Sequence, residues 1–336
     1  MSDVLKFTFR YVNQHGHLVG RTLKGAFDGL TLQLGEEPIA TSQIVRADRR
    51  WDRLILTGLN VEQQPSTVVL AITSGRVPRL QSWINQAVSA RMAHQRQSLL
   101  AAQGQGHTVS VETCPKCYAT VDLSGLPRSE QTYCPYCNVL WSRTDQPPPD
   151  ETKYRLCDAC GFFAQPREYT IFYFFGHGIH WQKKYKCHSC MRPDAWKMLA
   201  FNSIFILGVV PATVHLWRAY RGGSARSRDF VGLESANSYA KKRNADRACE
   251  YYDEIESRLP RCAGVRYNHG LACLLADRLE DATIHFQKAL MDCANYAPAY
   301  ERLCECYTKL GHTDALEQLH VIWGRSDVAA QALSEE

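Results

Sequence analysis

Cys114-Pro115-Lys116-Cys117, Cys134-Pro135-Tyr136-Cys137, Cys157-Asp158-Ala159-Cys160 and Cys187-His188-Ser189-Cys190 fall within 77 residues of a 336-residue chain. A two-residue gap lets both sulfurs of a tight turn face one ion, and a second turn completes the four-coordinate shell that structural zinc prefers. Pairing neighbours gives Cys114, Cys117, Cys134 and Cys137 as one set and Cys157, Cys160, Cys187 and Cys190 as another. The expectation is two structural zinc ions per chain. Iron in a four-thiolate site has the same donor set and stays open.

A dithiol redox centre is the rival reading of Cys134-Pro135-Tyr136-Cys137, and it requires a helix opening on the first cysteine. Here Trp141 and then Gln146-Pro147-Pro148-Pro149 follow, and a proline run does not start a helix there. The two Cys-Pro-x-Cys motifs resemble the zinc-ribbon family, and 112–192 resembles a tandem ribbon. His177, His180 and His188 flank the second set, where four cysteines already suffice, and read as ordinary loop histidines.

The last third carries an internal repeat. Ala236, Tyr239, Ala248, Tyr252, Ile255 and Pro260, each advanced by 34, become Gly270, Cys273, Ala282, Phe286, Ala289 and Ala294. A further 34 gives Cys304, Tyr307, Leu316, His320 and Trp323. Small residues at helix crossings with large ones beside them, at this period, resemble the tetratricopeptide (TPR) family. The resemblance implies a superhelical groove for a peptide or partner protein. Carried onto this chain, the groove positions are Leu233, Asn237, Tyr267 and Leu271. They lack the Lys and Asn pattern that holds a C-terminal carboxylate, so an apolar or mixed peptide is expected.

The first 105 residues alternate at period two in Leu30-Thr31-Leu32-Gln33-Leu34 and, in part, in Leu5–Val12. After Pro78 the spacing of Leu80, Trp83, Ile84, Ala87, Val88 and Arg91 becomes helical. Strands closed by one helix resemble the pleckstrin-homology-like fold, with Phe27-Asp28-Gly29-Leu30-Thr31-Leu32 the nearest match. Arg46, Arg49, Arg50 and Arg53 read as a loop whose charge is offset by Asp48 and Asp52.

Leu199 to Trp217 is a 19-residue stretch without formal charge, which approaches the bilayer minimum. Asn202, Gly208, Pro211 and His215 weaken insertion, and basic residues stand on both sides. It reads as a long helix that is either buried or membrane-associated. Thr170–Phe175 reads as a hairpin strand turning at Gly176–Gly178, with an aromatic face that needs cover. Gly222-Gly223 with Ser224–Arg228 reads as a basic linker.

The resulting organisation is a multidomain α+β chain: 1–105 β-rich, 106–145 and 150–195 ribbons, 196–228 apolar helix and linker, 229–330 an all-α TPR solenoid. Lys and Arg outnumber Asp and Glu by 12 to 7 in residues 1–110 and by 15 to 9 in 111–228, then fall behind 12 to 18 in 229–336. The basic part permits nucleic-acid contact, which makes a transcription-type zinc-ribbon protein the alternative function. The ribbons lack a concentrated run of Lys and Arg with aromatics between. Metal-type cysteine pairs together with six lone cysteines in helical context suit a reducing compartment, and no secretory signal is visible, so a cytoplasmic location is expected. No catalytic constellation or phosphate-cradling loop emerges. The sequence therefore predicts a non-enzymatic adaptor or scaffold that binds protein partners and no small-molecule substrate, with membrane anchoring through 199–217 as a variant.

Overall fold

The computed structural model describes residues 4–50, 53–59, 64–144, 148, 150–175, 178–204, 206–221 and 227–323. The turn expected at Gly176 and His177 and most of the basic linker lie outside these residues. The chain forms two compact units, one running to Gly125 and one from Leu126 to Arg325, so the division lies inside 106–145.

In the first unit, β1 (Leu5–Val12), β2 (Leu18–Phe27), β3 (Thr31–Leu34), β4 (Glu37–Ala40), β5 (Ile44–Arg50), β6 (Arg53–Leu59) and β7 (Pro65–Ser74) form one sheet in the order β4-β3-β2-β1-β7-β6-β5. Every pairing is antiparallel. Alternation at period two sends Phe7, Phe9, Leu32, Leu34, Leu54 and Leu56 to one face. That face is covered by Leu80, Ile84 and Val88 of α1 (Val77–Ala102). Asn85, buried on the same helix, accepts from Ala47 N at 2.9 Å and donates to Ala47 O at 2.8 Å, holding edge strand β5 by its main chain. The arginines expected in a loop stand on the β5–β6 hairpin, where Arg46 pairs with Asp48 at 2.8 Å. β8 (Val111–Thr113) and β9 (Thr120–Asp122) complete the unit.

The second unit opens with three antiparallel pairs, two short and one long: β10 (Gln131–Tyr133) with β11 (Leu140–Ser142), β12 (Arg155–Leu156) with β13 (Phe163–Ala164), and β14 (Arg167–Phe175) with β15 (Gly178–Lys186). The expected uncharged helix is not one element. α2 (His188–Asn202) begins on the fourth cysteine pair, and α3 (Ile206–Arg221) follows a turn. Local side-chain bonding marks the break. Ser203 Oγ donates to Ala200 O at 2.6 Å, and Asn202 Nδ2 leaves the helix to donate to Phe172 O at 3.0 Å. The two helices pack on β14 and bury Tyr169, Ile171 and Phe172 among Met191, Met198 and Ala212, which covers the aromatic strand. Among the described residues, no helix is long and apolar enough to cross a membrane.

Six further helices complete the unit: α4 (Leu233–Lys241), α5 (Ala245–Arg258), α6 (Ala263–Leu275), α7 (Leu279–Asp292), α8 (Ala297–Leu310) and α9 (Thr313–Trp323). Each packs on the next. At the α6–α7 crossing, a Cβ on Gly270 would stand 2.6 Å from the Phe286 ring, so the close approach requires glycine there.

Candidate metal centre

Three of the four cysteine turns share one backbone design. Cys114 N donates to Ala119 O and Tyr118 N to Cys114 O. Cys134 N donates to Val139 O and Asn138 N to Cys134 O. Cys157 N donates to Phe162 O and Gly161 N to Cys157 O. The residue after each second cysteine, Tyr118, Asn138 or Gly161, has φ of 60°, 58° or 71°, the left-handed conformation that folds the pair onto one point. The fourth turn differs. Cys187 caps α2, with Cys190 N and Met191 N donating to its carbonyl, so this pair opens a helix instead of a hairpin. The helix-opening context required of a redox dithiol thus occurs at Cys187 and not at Cys134, which is followed by β11.

The described residues include cysteine groups able to hold metal ions. Within the second unit the sulfurs of Cys157, Cys160, Cys187 and Cys190 lie within 4.8 Å of one another. Cys160 and Cys187 are 3.8 Å apart, close to the edge of about 3.8 Å set by four sulfurs at about 2.3 Å from a tetrahedral zinc. Four thiols leave no donor suited to a hard cation, and the set fits zinc.

Charge around these sulfurs favours the thiolate at Cys187 and Cys157, while hydrogen bonds shared with those two hold Cys160 and Cys190 above the ordinary thiol range. Cys187 N donates to Cys157 Sγ at 3.3 Å. Lys241 of α4 places Nζ 3.3 Å from Cys187 Sγ, 3.5 Å from Cys190 Sγ and 2.6 Å from Ser189 Oγ. Hydrogen bonds from the other thiols, Cys157 first, hold Cys187 far below the ordinary thiol range. A bond from Cys160 brings Cys157 down to about 6. Burial works to lower Lys241, but the negative sulfurs, Cys187 foremost, hold its ammonium above the usual lysine range. Glu234 on the same helix is pushed up by burial first and by Cys187 second, and it accepts Ser189 N at 2.7 Å. His188 is engaged elsewhere, its Nδ1 2.6 Å from Tyr169 OH. His180 and His177 fall outside the described side chains.

The two units hold their cysteine turns in related ways. In the first, Ser82, Gln86 and Ser89 form a polar stripe on α1. Ser82 Oγ and Gln86 Nε2 both donate to Cys117 O at 3.0 Å, and Ser89 Oγ accepts Thr120 N at 2.9 Å. In the second, asparagines of the helical array grip the backbone of strands beside the cysteine turns. Asn268 accepts from Phe163 N at 2.7 Å and donates to Phe163 O at 2.6 Å, and Asn237 donates to the same oxygen at 3.0 Å. Asn295 grips Tyr133 N and O at 2.9 and 2.7 Å. Tyr252 OH donates to Asn237 Oδ1 at 2.7 Å and completes the network. Phe163 lies against Gly264, where a Cβ would sit 2.5 Å from its ring.

The four groove positions read from the sequence are all buried, Leu233 at 3%, Asn237 at 0%, Tyr267 at 4% and Leu271 at 8% exposure. Their cluster includes the chain's own Tyr133, Tyr154, Phe162 and Phe163. Tyr267 and Leu271 also line a cavity of about 320 Å³ walled by Phe162, Arg243, Arg302 and Lys309, whereas Leu233 and Asn237 do not. Asn268, Asn295, Lys241 and the Ser82-Gln86-Ser89 stripe escaped sequence reasoning. Only the stripe, at helical spacing, carried a signal that could have revealed it. A scan of family models finds none that matches the chain, and a search of curated proteins finds no match.

Proposed function

We propose that the protein is a non-enzymatic, zinc-dependent adaptor in which a short TPR array carries zinc ribbons on its inner face. Cys157, Cys160, Cys187 and Cys190 hold one zinc, and the sequence spacing that pairs Cys114 and Cys117 with Cys134 and Cys137 supports a second. The shared design of the first three turns and the 3.8 Å sulfur spacing support this reading. The clasp of Phe163 and Tyr133 main chain by Asn237, Asn268 and Asn295 carries it, because the array does to its own chain what such grooves do to a bound peptide. The antiparallel sheet closed by α1 supports a pleckstrin-homology-like reading of the first unit.

With the centre of the groove taken, a partner peptide enters the remaining cavity, apolar against Tyr267 and Leu271 and polar toward Arg302 and Lys309. Both cations have about half of their side chains in solvent, so Arg302→Glu with Lys309→Glu changes the cavity mouth without opening the core. Proteins co-purifying with the wild type, identified by mass spectrometry, are expected to be lost from this variant while circular dichroism and zinc content hold. Undiminished capture refutes the assignment. Tight, salt-sensitive binding of generic DNA or RNA would replace it with the nucleic-acid reading.

A further inference from the structure

α5 and α6 enclose a cluster that neither ribbon uses. Cys249 on α5, with His269 and Cys273 on α6, brings two sulfurs and an imidazole nitrogen within 4.8 Å of one another. His269 and Cys273 are four residues apart, so one helical turn sets both on the same face, and Cys249 supplies the third donor from the neighbouring helix.

The imidazole is fixed before any ion arrives. Its Nδ1 lies 2.9 Å from Glu256 Oε1, and its ring stacks on His285 at 3.5 Å and on Tyr252 at 5.4 Å between centroids. With Nδ1 committed to a carboxylate, Nε2 is left for the sulfurs. A carboxylate on one ring nitrogen and a metal on the other is how ligating histidines are oriented. Burial is graded suitably. Cys273 and His269 are buried at 1% and 3%, while Cys249 is half-buried and offers a route from solvent.

We propose that Cys249, His269 and Cys273 form a third metal site, distinct from both ribbons, that binds one zinc(II) ion with its fourth position open. Soft sulfur donors with an imidazole select a thiophilic cation, and three protein ligands leave one tetrahedral corner for water. Two thiolates and a neutral imidazole balance the two positive charges, so the filled site is neutral, as a buried site requires. Binding forms two Zn–S bonds and one Zn–N bond. Two protons are released to solvent from the cluster, and nothing is oxidised or reduced.

The test is zinc stoichiometry by elemental analysis of full-length protein, purified under reducing conditions without chelator and then equilibrated with zinc. Wild type is expected to hold one equivalent more than Cys249→Ser, with unchanged circular dichroism. Cys273→Ala, a small-for-small change inside the helix pair, is the second variant and is expected to lose the same equivalent. Filled ribbons give three against two; if the ribbons failed to hold metal, the count would be one against none, which separates this site from them. Equal zinc in wild type and both variants overturns the proposal, as does a Cys249–Cys273 disulfide found by mass spectrometry in place of the ion.

Discussion

Replacing Asn268 with leucine tests whether the helical array holds the Phe163 strand by its main chain. Asn268 is fully buried and makes three bonds: Phe163 N to its Oδ1, and its Nδ2 to Phe163 O and to Asn237 Oδ1. Leucine keeps the fork at Cγ, adds bulk in its two methyls, and removes all three. Phe163 O retains Asn237, and Asn237 Oδ1 retains Tyr252, so each of those two losses is worth about 0.5 to 1.5 kcal/mol. Phe163 N–H loses its side-chain partner in a dry interior, at about 1 to 3 kcal/mol. The expected total is about 2 to 6 kcal/mol, near 4, read by urea unfolding at the helical circular-dichroism band with an unchanged slope. Asn295→Leu, at a half-buried clasp, is expected to cost less. A loss below about 1 kcal/mol for Asn268→Leu would refute the reasoning, since it would mean that water satisfies the Phe163 backbone.

Gly264→Ala places a methyl 2.5 Å from the Phe163 ring and is expected to destabilise the second unit by about 1 to 3 kcal/mol, with Phe163→Leu restoring part of the loss in a double-mutant cycle. Lys241→Met removes the cation beside Cys187 and Cys190 and is expected to weaken zinc retention by Cys157, Cys160, Cys187 and Cys190 by about 10- to 100-fold in chelator competition, leaving the other cysteine turns unchanged. Zinc release is expected to rise as pH falls, because thiolates must reprotonate to leave the ion; a retention profile flat down to about pH 4 would contradict thiolate ligation.

The sequence made the cysteine sets, the strand and helix periods and the 34-residue repeat legible because each is a spacing, and spacing survives without knowledge of neighbours. Gly270 shows this: its smallness was readable, and the ring of Phe286 lies against it. What escaped depends on residues far apart in the chain. Asn268 and Phe163 are 105 residues apart and Asn295 and Tyr133 are 162 apart, and an asparagine gripping main chain leaves no trace in its partner's side chain. Tyr267 and Leu271 were assigned to a groove on family position, and their burial follows from a cluster with Tyr133, Tyr154, Phe162 and Phe163 that no local pattern places there. The uncharged run 199–217 misled for the opposite reason. Composition alone suggested one helix, while the break comes from Asn202 reaching a carbonyl on a distant strand.

The asparagine clasps also order events during synthesis. Phe163 leaves the ribosome 105 residues ahead of Asn268, a lag of about 5 to 20 s at about 5 to 20 residues per second. Tyr133 waits longer still for Asn295. For that interval the nascent strands have no helical array to dock on, and the thiols of the neighbouring cysteine turns are open to the surrounding metal pool. A metal held by Cys157, Cys160, Cys187 and Cys190 would therefore meet those thiols before the array that packs beside them exists, and closure of the array would slow its exchange with that pool.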